Sequence, residues 1–400
     1  MSGPLDGVRV LDLTTVILGP YATQILGDMG ADVIKVETPS GDSTRYTGPR
    51  RSPDMAALFM GVNRNKRSIV LDLKQPEALE ALYTLIEGSD VIVHNMRPQK
   101  AKKLGISPEA VQARNPKIVY AALYGYREGG AYAGRPAYDD VIQAQCGIAS
   151  LMAQSAGRPR YAPIVIADKT CGLVGAYSIS AALFKRERTG KGVVVEVPMF
   201  ETMTSFVLVE HLYGKMFVGD GGHTGYTRVL DVWRQPYATS DGYIGMMAYS
   251  DQQWQRFWQE VDRPDLAADL RFKDLATRTV NISELYRVAG ECLASRTTAE
   301  WEEALSRLEI PNAKINTLDE LLNDPHLNEV GFYRTVRHET EGEIMLTDAP
   351  VTFDREAAPP SRLQPRLGQH SIEILRSAGV EQEKIRQMIK TGATGGLGRE

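Results

Sequence analysis

Residues 164–196 read IVIADKTCGLVGAYSISAALFKRERTGKGVVVE. The apolar, half β-branched run Ile164–Ala167 predicts a short buried strand, and Gly172–Arg188 reads as an apolar helical segment with a basic end. Glycines 190 and 192 stop that helix, Val193–Val197 reads as a second buried strand, and Asp168 falls at the strand-to-helix junction. A carboxylate just before a helix faces unpaired N–H groups and the positive end of the helix dipole, so it is expected to stay ionised. Two roles suit it. It is a favoured capping residue, a role Thr170 could also fill, and an ionised carboxylate at a partly buried helix end can attack an activated acyl group.

Outward from this unit, the N-terminal part alternates strands and helices. Strands are expected at residues 8–13, 31–37, 68–73, 90–94 and 118–124, and helices at 21–29, 76–86 and after Ser107, whose Pro108 and Glu109 are favoured first-turn residues. The pattern predicts an α/β fold built on an open, doubly wound, mostly parallel sheet of the Rossmann-like kind, whose ligands sit beyond the carboxyl ends of the strands. The loops to inspect are then 14–20, Lys74, 95–103 and 125–140. The first of them, TTVILGP, lacks the GxGxxG spacing of a dinucleotide site, which argues against an NAD dehydrogenase. A single helix is expected over 139–152 and another over 200–213.

From Gly219 the texture changes. GDGGHTGYTR (219–228) reads as a linker or mobile lid, and the following residues as a smaller α+β domain with capping-box pairs Thr297/Glu300 and Thr317/Glu320. Strand signals at 333–338 and 343–346 and helices at 368–378 and 382–390 follow, with the last ten residues expected to be flexible unless docked. The expected division is a large domain over 1–224, a small domain over 225–325, and a return to the large domain over 326–400.

At 400 residues, 43% hydrophobic and 24% charged, the composition is that of a globular protein. A net charge of -4 gives no drive toward nucleic acid. The N-terminus lacks a signal-like apolar run and Cys171–Phe184 is too short to span a bilayer, so a soluble, cytoplasmic protein is expected, without membrane or nucleic-acid partners. Cys146, Cys171 and Cys292 show no metal or disulfide spacing, and no metal site is expected. Cys171, three residues after Asp168, reads as a small buried structural residue.

Taken together, LDGVRVLDLT, GADVIKVE, NRNKRSIVLDLK, SDVIVHN, GYREGG, PAYDDVIQAQCG, RTGKGVVVEVPMFE, YATSDGYI and NDPHLNEVGFY follow the order seen in one family. The chain resembles the class III CoA-transferases, the group of formyl-CoA transferase, carnitine CoA-transferase and α-methylacyl-CoA racemase. The resemblance implies that Asp168 is the catalytic aspartate, forming an anhydride with the acyl group and then an aspartyl-CoA thioester. It implies CoA contacts at Val16, Ile17, Leu71, Asp72, Leu73, Lys74, Asn95, Met96, Arg97, Lys103, Ala137 and Tyr138. It further implies acyl-CoA and a small carboxylic acid as substrates, no tightly bound cofactor, and an interlocked homodimer. Ile17 stands where formyl-CoA transferases carry a glutamine and Thr38 where they carry an arginine, and their four-glycine lid is absent, so oxalate and formyl-CoA are not the expected substrates. The alternatives are an acyl-CoA racemase, disfavoured because Tyr138 occupies the histidine position of the racemase motif, and a non-catalytic acyl-CoA-binding protein. His223, Arg228 and Arg234 are candidates to pair with a second carboxylate on the acceptor, against a plain reading as surface charges.

Overall fold

Six parallel strands and one short antiparallel strand form the central sheet. The computed structural model describes residues 3–219, 221–355 and 360–395. Strands β1 (Arg9–Asp12), β2 (Asp32–Glu37), β3 (Lys66–Leu71), β4 (Val91–His94), β5 (Val119–Tyr124) and β6 (Val193–Pro198) lie in the order β3-β2-β1-β4-β5-β6. The C-terminal strand Thr394–Gly395 adds antiparallel outside β3. Residues 10–12 of β1 pair with 33–35 on one side and 91–93 on the other. Helices α1 (Leu18–Asp28), α2 (Pro76–Glu87), α3 (Pro98–Lys103), α4 (Pro108–Arg114), α5 (Asp139–Gln145) and α6 (Ile166–Thr189) run between and after these strands. The doubly wound, mostly parallel sheet predicted by the alternation is present, and the strand order reverses between β1 and β4.

The chain divides into two compact units: Met1–Ala149, Tyr161–Phe206 and Glu329–Glu400 in the first, Ser150–Arg160 and Val207–Asn328 in the second. One apolar cluster of the first unit joins Leu11, Ile34, Ile69 and Ile92 of the strands to Leu82 and Ile86 of α2 and to Ile374, Leu375, Ile385 and Met388 of the C-terminal helices. The second unit packs Trp254, Phe257, Trp258, Trp301 and Phe272 around a three-stranded antiparallel sheet. Thr297/Glu300 and Thr317/Glu320 form the expected capping boxes. Ser107 caps α4, accepting from the Ala110 N–H.

Several expectations change. Residues 164–167 form no strand: β6 pairs directly with β5, Ile166 and Ala167 already belong to the helix, and Ile164 is half exposed. Helix α6 starts instead at Ile166, with Val165 at its N-cap and no capping side chain, so neither Asp168 nor Thr170 is the cap. Gly190 does end the helix, in the left-handed conformation. The helix expected over 139–152 breaks at Gly147, whose φ of +99° no continuing helix accepts, and resumes at Ile148. Of the C-terminal ten residues, Thr391 ends a helix and Thr394–Gly395 dock on the sheet, the docked case of the expectation, and 396–400 lie outside the described residues. Among the described residues no helix is long and apolar enough to cross a membrane.

Candidate active site

Asp168 is the third residue of α6 and is buried, with 8% of its surface exposed. Its backbone N–H donates to Asp139 Oδ1 at 2.9 Å, and Asp139 opens α5. The other oxygen of Asp139 accepts from Gln143 Nε2 at 2.5 Å, and Gln143 Oε1 accepts the Ala162 N–H at 2.9 Å. One acid and one amide therefore stitch the start of α6 to α5. Burial, with the charge of Asp139 adding to it, pushes the Asp168 carboxyl up to about 7. The expectation of a permanently ionised carboxylate is corrected: loss of water outweighs the favourable helix end. Burial also pushes the Cys171 thiol up to about 12, so it stays a thiol, its Sγ directed at the Met199 carbonyl.

The loop after β1 is held in an unusual shape. Val16 adopts φ +72°, a left-handed conformation that a β-branched residue reaches only when its surroundings impose it. Its N–H is accepted by both oxygens of Asp42 at 3.2 Å. Lys35 Nζ holds that carboxylate at 3.0 Å while donating to the Thr14 carbonyl at 2.9 Å. Asn95, after β4, closes the loop from the other side: it accepts the Thr15 N–H at 3.1 Å and donates to the Thr15 carbonyl at 2.7 Å. The loops following β1 and β4, where the strand order reverses, are thus fastened together, which is where an open α/β sheet makes its ligand crevice.

Glycine brings this crevice to Asp168. A Cβ on Gly172 would lie 2.8 Å from the Leu18 carbonyl oxygen, so α1 can approach α6 this closely only because the position is bare. Gly172 is one turn beyond Asp168, about 6 Å along the axis. The same device operates at Gly125, where a Cβ would meet that of Ala137 at 2.5 Å.

Of the residues expected to contact CoA, Val16, Ile17 and Asn95 lie in or beside the fastened loops after β1 and β4, with Ile17 buried. Arg97 donates to the Gly134 carbonyl at 3.2 Å, tying the loop after β4 to the loop after β5. Met96 packs into the core. Tyr138 is 69% exposed and directly precedes Asp139, with Ala137 beside it. Leu71 to Lys74 lie at the end of β3, two strands away and so about 10 Å from β1. There Leu71 is buried and Leu73 packs on the core, while Asp72 accepts the Lys74 N–H and the Gln75 amide. The side chains of Lys74 and Lys103 are exposed. Sequence reasoning missed Asp139 and Asp42 as site builders. The Asp139/Gln143 spacing, which puts both on one helix face, was the available signal for the first; the second carried only that of a turn residue before Ser43.

The model of CoA-transferase family III matches residues 5–371, and the chain belongs to that family. Among its relatives, human succinyl-CoA:glutarate CoA-transferase is 30% identical, the match covering 93% of this chain and 85% of the relative. Succinyl-CoA:mesaconate CoA-transferase of Haloarcula hispanica is 32% identical over 94% and 97%. The crystal structure of Rv3272 from Mycobacterium tuberculosis, named a probable fatty acyl-CoA transferase, superposes with a TM-score of 0.81 at 31% identity, covering 93% of this chain and 99% of that one.

Proposed function

We propose that this family III CoA-transferase moves CoA from an acyl-CoA to a free carboxylic acid through covalent intermediates on Asp168. The observation that carries this reading is a buried carboxylate, one helical turn from the ligand crevice of the sheet, whose burial keeps it poorly solvated and reactive once ionised. Asp168 attacks the thioester carbonyl, giving a mixed anhydride and CoA thiolate. The thiolate attacks the aspartyl carbonyl, giving aspartyl-CoA and the first acid. The acceptor carboxylate then attacks aspartyl-CoA, and the released thiolate takes the acceptor's acyl carbon, returning Asp168. Excluding water keeps the acyl group activated throughout, since hydrolysis would discharge it.

In this reading Val16, Ile17, Asn95 and Arg97 line the CoA path, with Leu71 to Lys74, Lys103, Ala137 and Tyr138 further along it, and the first unit is the CoA-binding body. Succinyl-CoA is the first donor to test, because relatives are named for it. The relay makes a specific demand: one oxygen of the acceptor bridges the second anhydride and stays with the aspartate. Acceptor labelled with oxygen-18 is therefore expected to leave label in the peptide bearing Asp168, read by mass spectrometry after many turnovers. An unlabelled peptide would mean that CoA passes directly between the acids.

The chain also suits a homodimer. Leu173, Tyr177, Ala181 and Phe184 follow helical spacing on one face of α6, with the three large side chains 51%, 63% and 64% exposed, and a second copy would cover them. Sedimentation equilibrium is expected to give twice the 44.2 kDa chain mass; a folded monomer at micromolar concentration would refute the dimer.

A further inference from the structure

His94 is the last residue of β4 and is buried. It pairs with Ala122 of β5, so Tyr120, two residues earlier on that strand and also buried, stands diagonally beside it on the same face of the sheet. The two rings meet edge to face with centres 5.2 Å apart, and His94 Nε2 lies 2.6 Å from the Tyr120 hydroxyl oxygen. The direction of each bond follows from its neighbours. His94 Nδ1 accepts the Met96 N–H at 3.2 Å and so carries no proton, which places the ring proton on Nε2, donated to Tyr120. The Tyr120 hydroxyl then donates onward to the Ile106 carbonyl at 3.0 Å. Burial pushes the imidazole down to about 4, which keeps it in this neutral form.

One buried pair therefore holds both ends of a single segment. Residues 96–106 leave the end of β4, pass through α3 and return to the core at Ile106, with His94 fixing the first backbone group and Tyr120 the last. Between the anchors lie Arg97, which reaches the Gly134 carbonyl, and the exposed Lys103, and directly before them Asn95, which grips Thr15. Burying an imidazole and a hydroxyl is costly unless each polar atom is matched, whereas apolar side chains of like volume would fill the same space without reaching the segment.

We propose that His94 and Tyr120 are positioning residues that pre-shape residues 95–106 to receive CoA, acting through the Met96 N–H and the Ile106 carbonyl. The proposal rests on the reading of that segment as part of the CoA path, and adds which core groups set its shape. A segment held in its binding form beforehand loses less freedom when the ligand arrives.

Titration calorimetry with free CoA needs no chemistry at Asp168. His94→Phe keeps a ring but removes both of its bonds, and is expected to raise the Kd for CoA about three- to tenfold, the effect of one buried hydrogen bond. The KM for acyl-CoA should rise with it while kcat stays unchanged. His94→Asn separates positioning from stability: an Asn oxygen accepts the N–H two residues on, so this variant keeps the Met96 bond and loses the Tyr120 contact. It should be no more resistant to urea than His94→Phe, yet bind CoA more tightly. Tyr120→Phe releases only the Ile106 end and should also raise the Kd, which decides the matter if His94→Phe does not fold. An unchanged Kd in every variant that folds, or Kd values that merely follow the loss of stability across them, would overturn the proposal. A wild-type protein that binds no CoA would end the CoA-transfer reading itself, and the proposal with it.

Discussion

Asp168→Asn is expected to lower CoA transfer by on the order of 10³-fold or more, because a neutral amide is a very weak nucleophile, and at the same time to stabilise the protein. The second effect follows from linkage. The carboxyl is held at about 7, against 3.8 when exposed, so between these values the native state keeps a proton that the unfolded chain has lost. Stability therefore declines as pH rises across that window, with the full cost present above about 7. The amide cannot ionise and escapes it. At pH 8 Asp168→Asn should be more stable than wild type by about 1–3 kcal/mol, and at pH 4 the two should coincide. For the same reason wild-type kcat/KM should climb through about pH 7 and level off above it. Near-normal turnover by a sequence-verified Asp168→Asn protein would end the covalent mechanism. A stability gain independent of pH would show that burial of the charge is not its source.

Lys66→Met should cost about 3–5 kcal/mol, the largest effect on folding we expect from a single substitution. Lys66 is fully buried in β3, its ammonium donating to Asp12 Oδ2 at 3.0 Å, the Pro20 carbonyl at 2.9 Å and Asn63 Oδ1 at 2.9 Å. Burial pushes it down to about 8 against the pull of Asp12. Asp12 itself is held well below the usual carboxylate range by Lys66, then Lys35, and by the hydroxyls of Thr14 and Thr23, which together overcome its burial. Removing the ammonium leaves an anion at the centre of the sheet with only part of its support. A urea midpoint unchanged at constant m would contradict this, and Asp12→Asn added to Lys66→Met should recover part of the loss.

That network was invisible in the sequence. Lys35 sits in a strand read from the sequence and Lys66 two residues before the expected start of the next, yet their partners come from residues 42 and 12, so neither pairing leaves a local trace. The readable features were those set by neighbouring residues: the strands 32–37 and 91–94, the Ser107 cap, the boxes at Thr297 and Thr317, and the glycine stop at 190. The reading of 164–167 failed because four apolar residues fit a strand or a helix start equally well, and periodicity over so short a run cannot decide between them. For Asp168 the sequence offered a helix start and a family resemblance, but the burial that raises its carboxyl comes from tertiary packing, and the Asp139 carboxylate that adds to it comes from 29 positions earlier.

The strand at 394–395 carries a consequence for biosynthesis. Its Thr394 hydroxyl bonds the Val70 carbonyl across 324 positions of chain. At roughly 5–20 residues per second, β3 waits on the order of 15–60 s on the ribosome-bound chain before the residues that cover its edge exist. During that interval Ser68 to Leu71 present an apolar strand with unpaired backbone groups, the kind of edge that recruits other chains. The growing polypeptide is therefore most open to aggregation, and most dependent on chaperones, while an otherwise assembled sheet lacks its last strand.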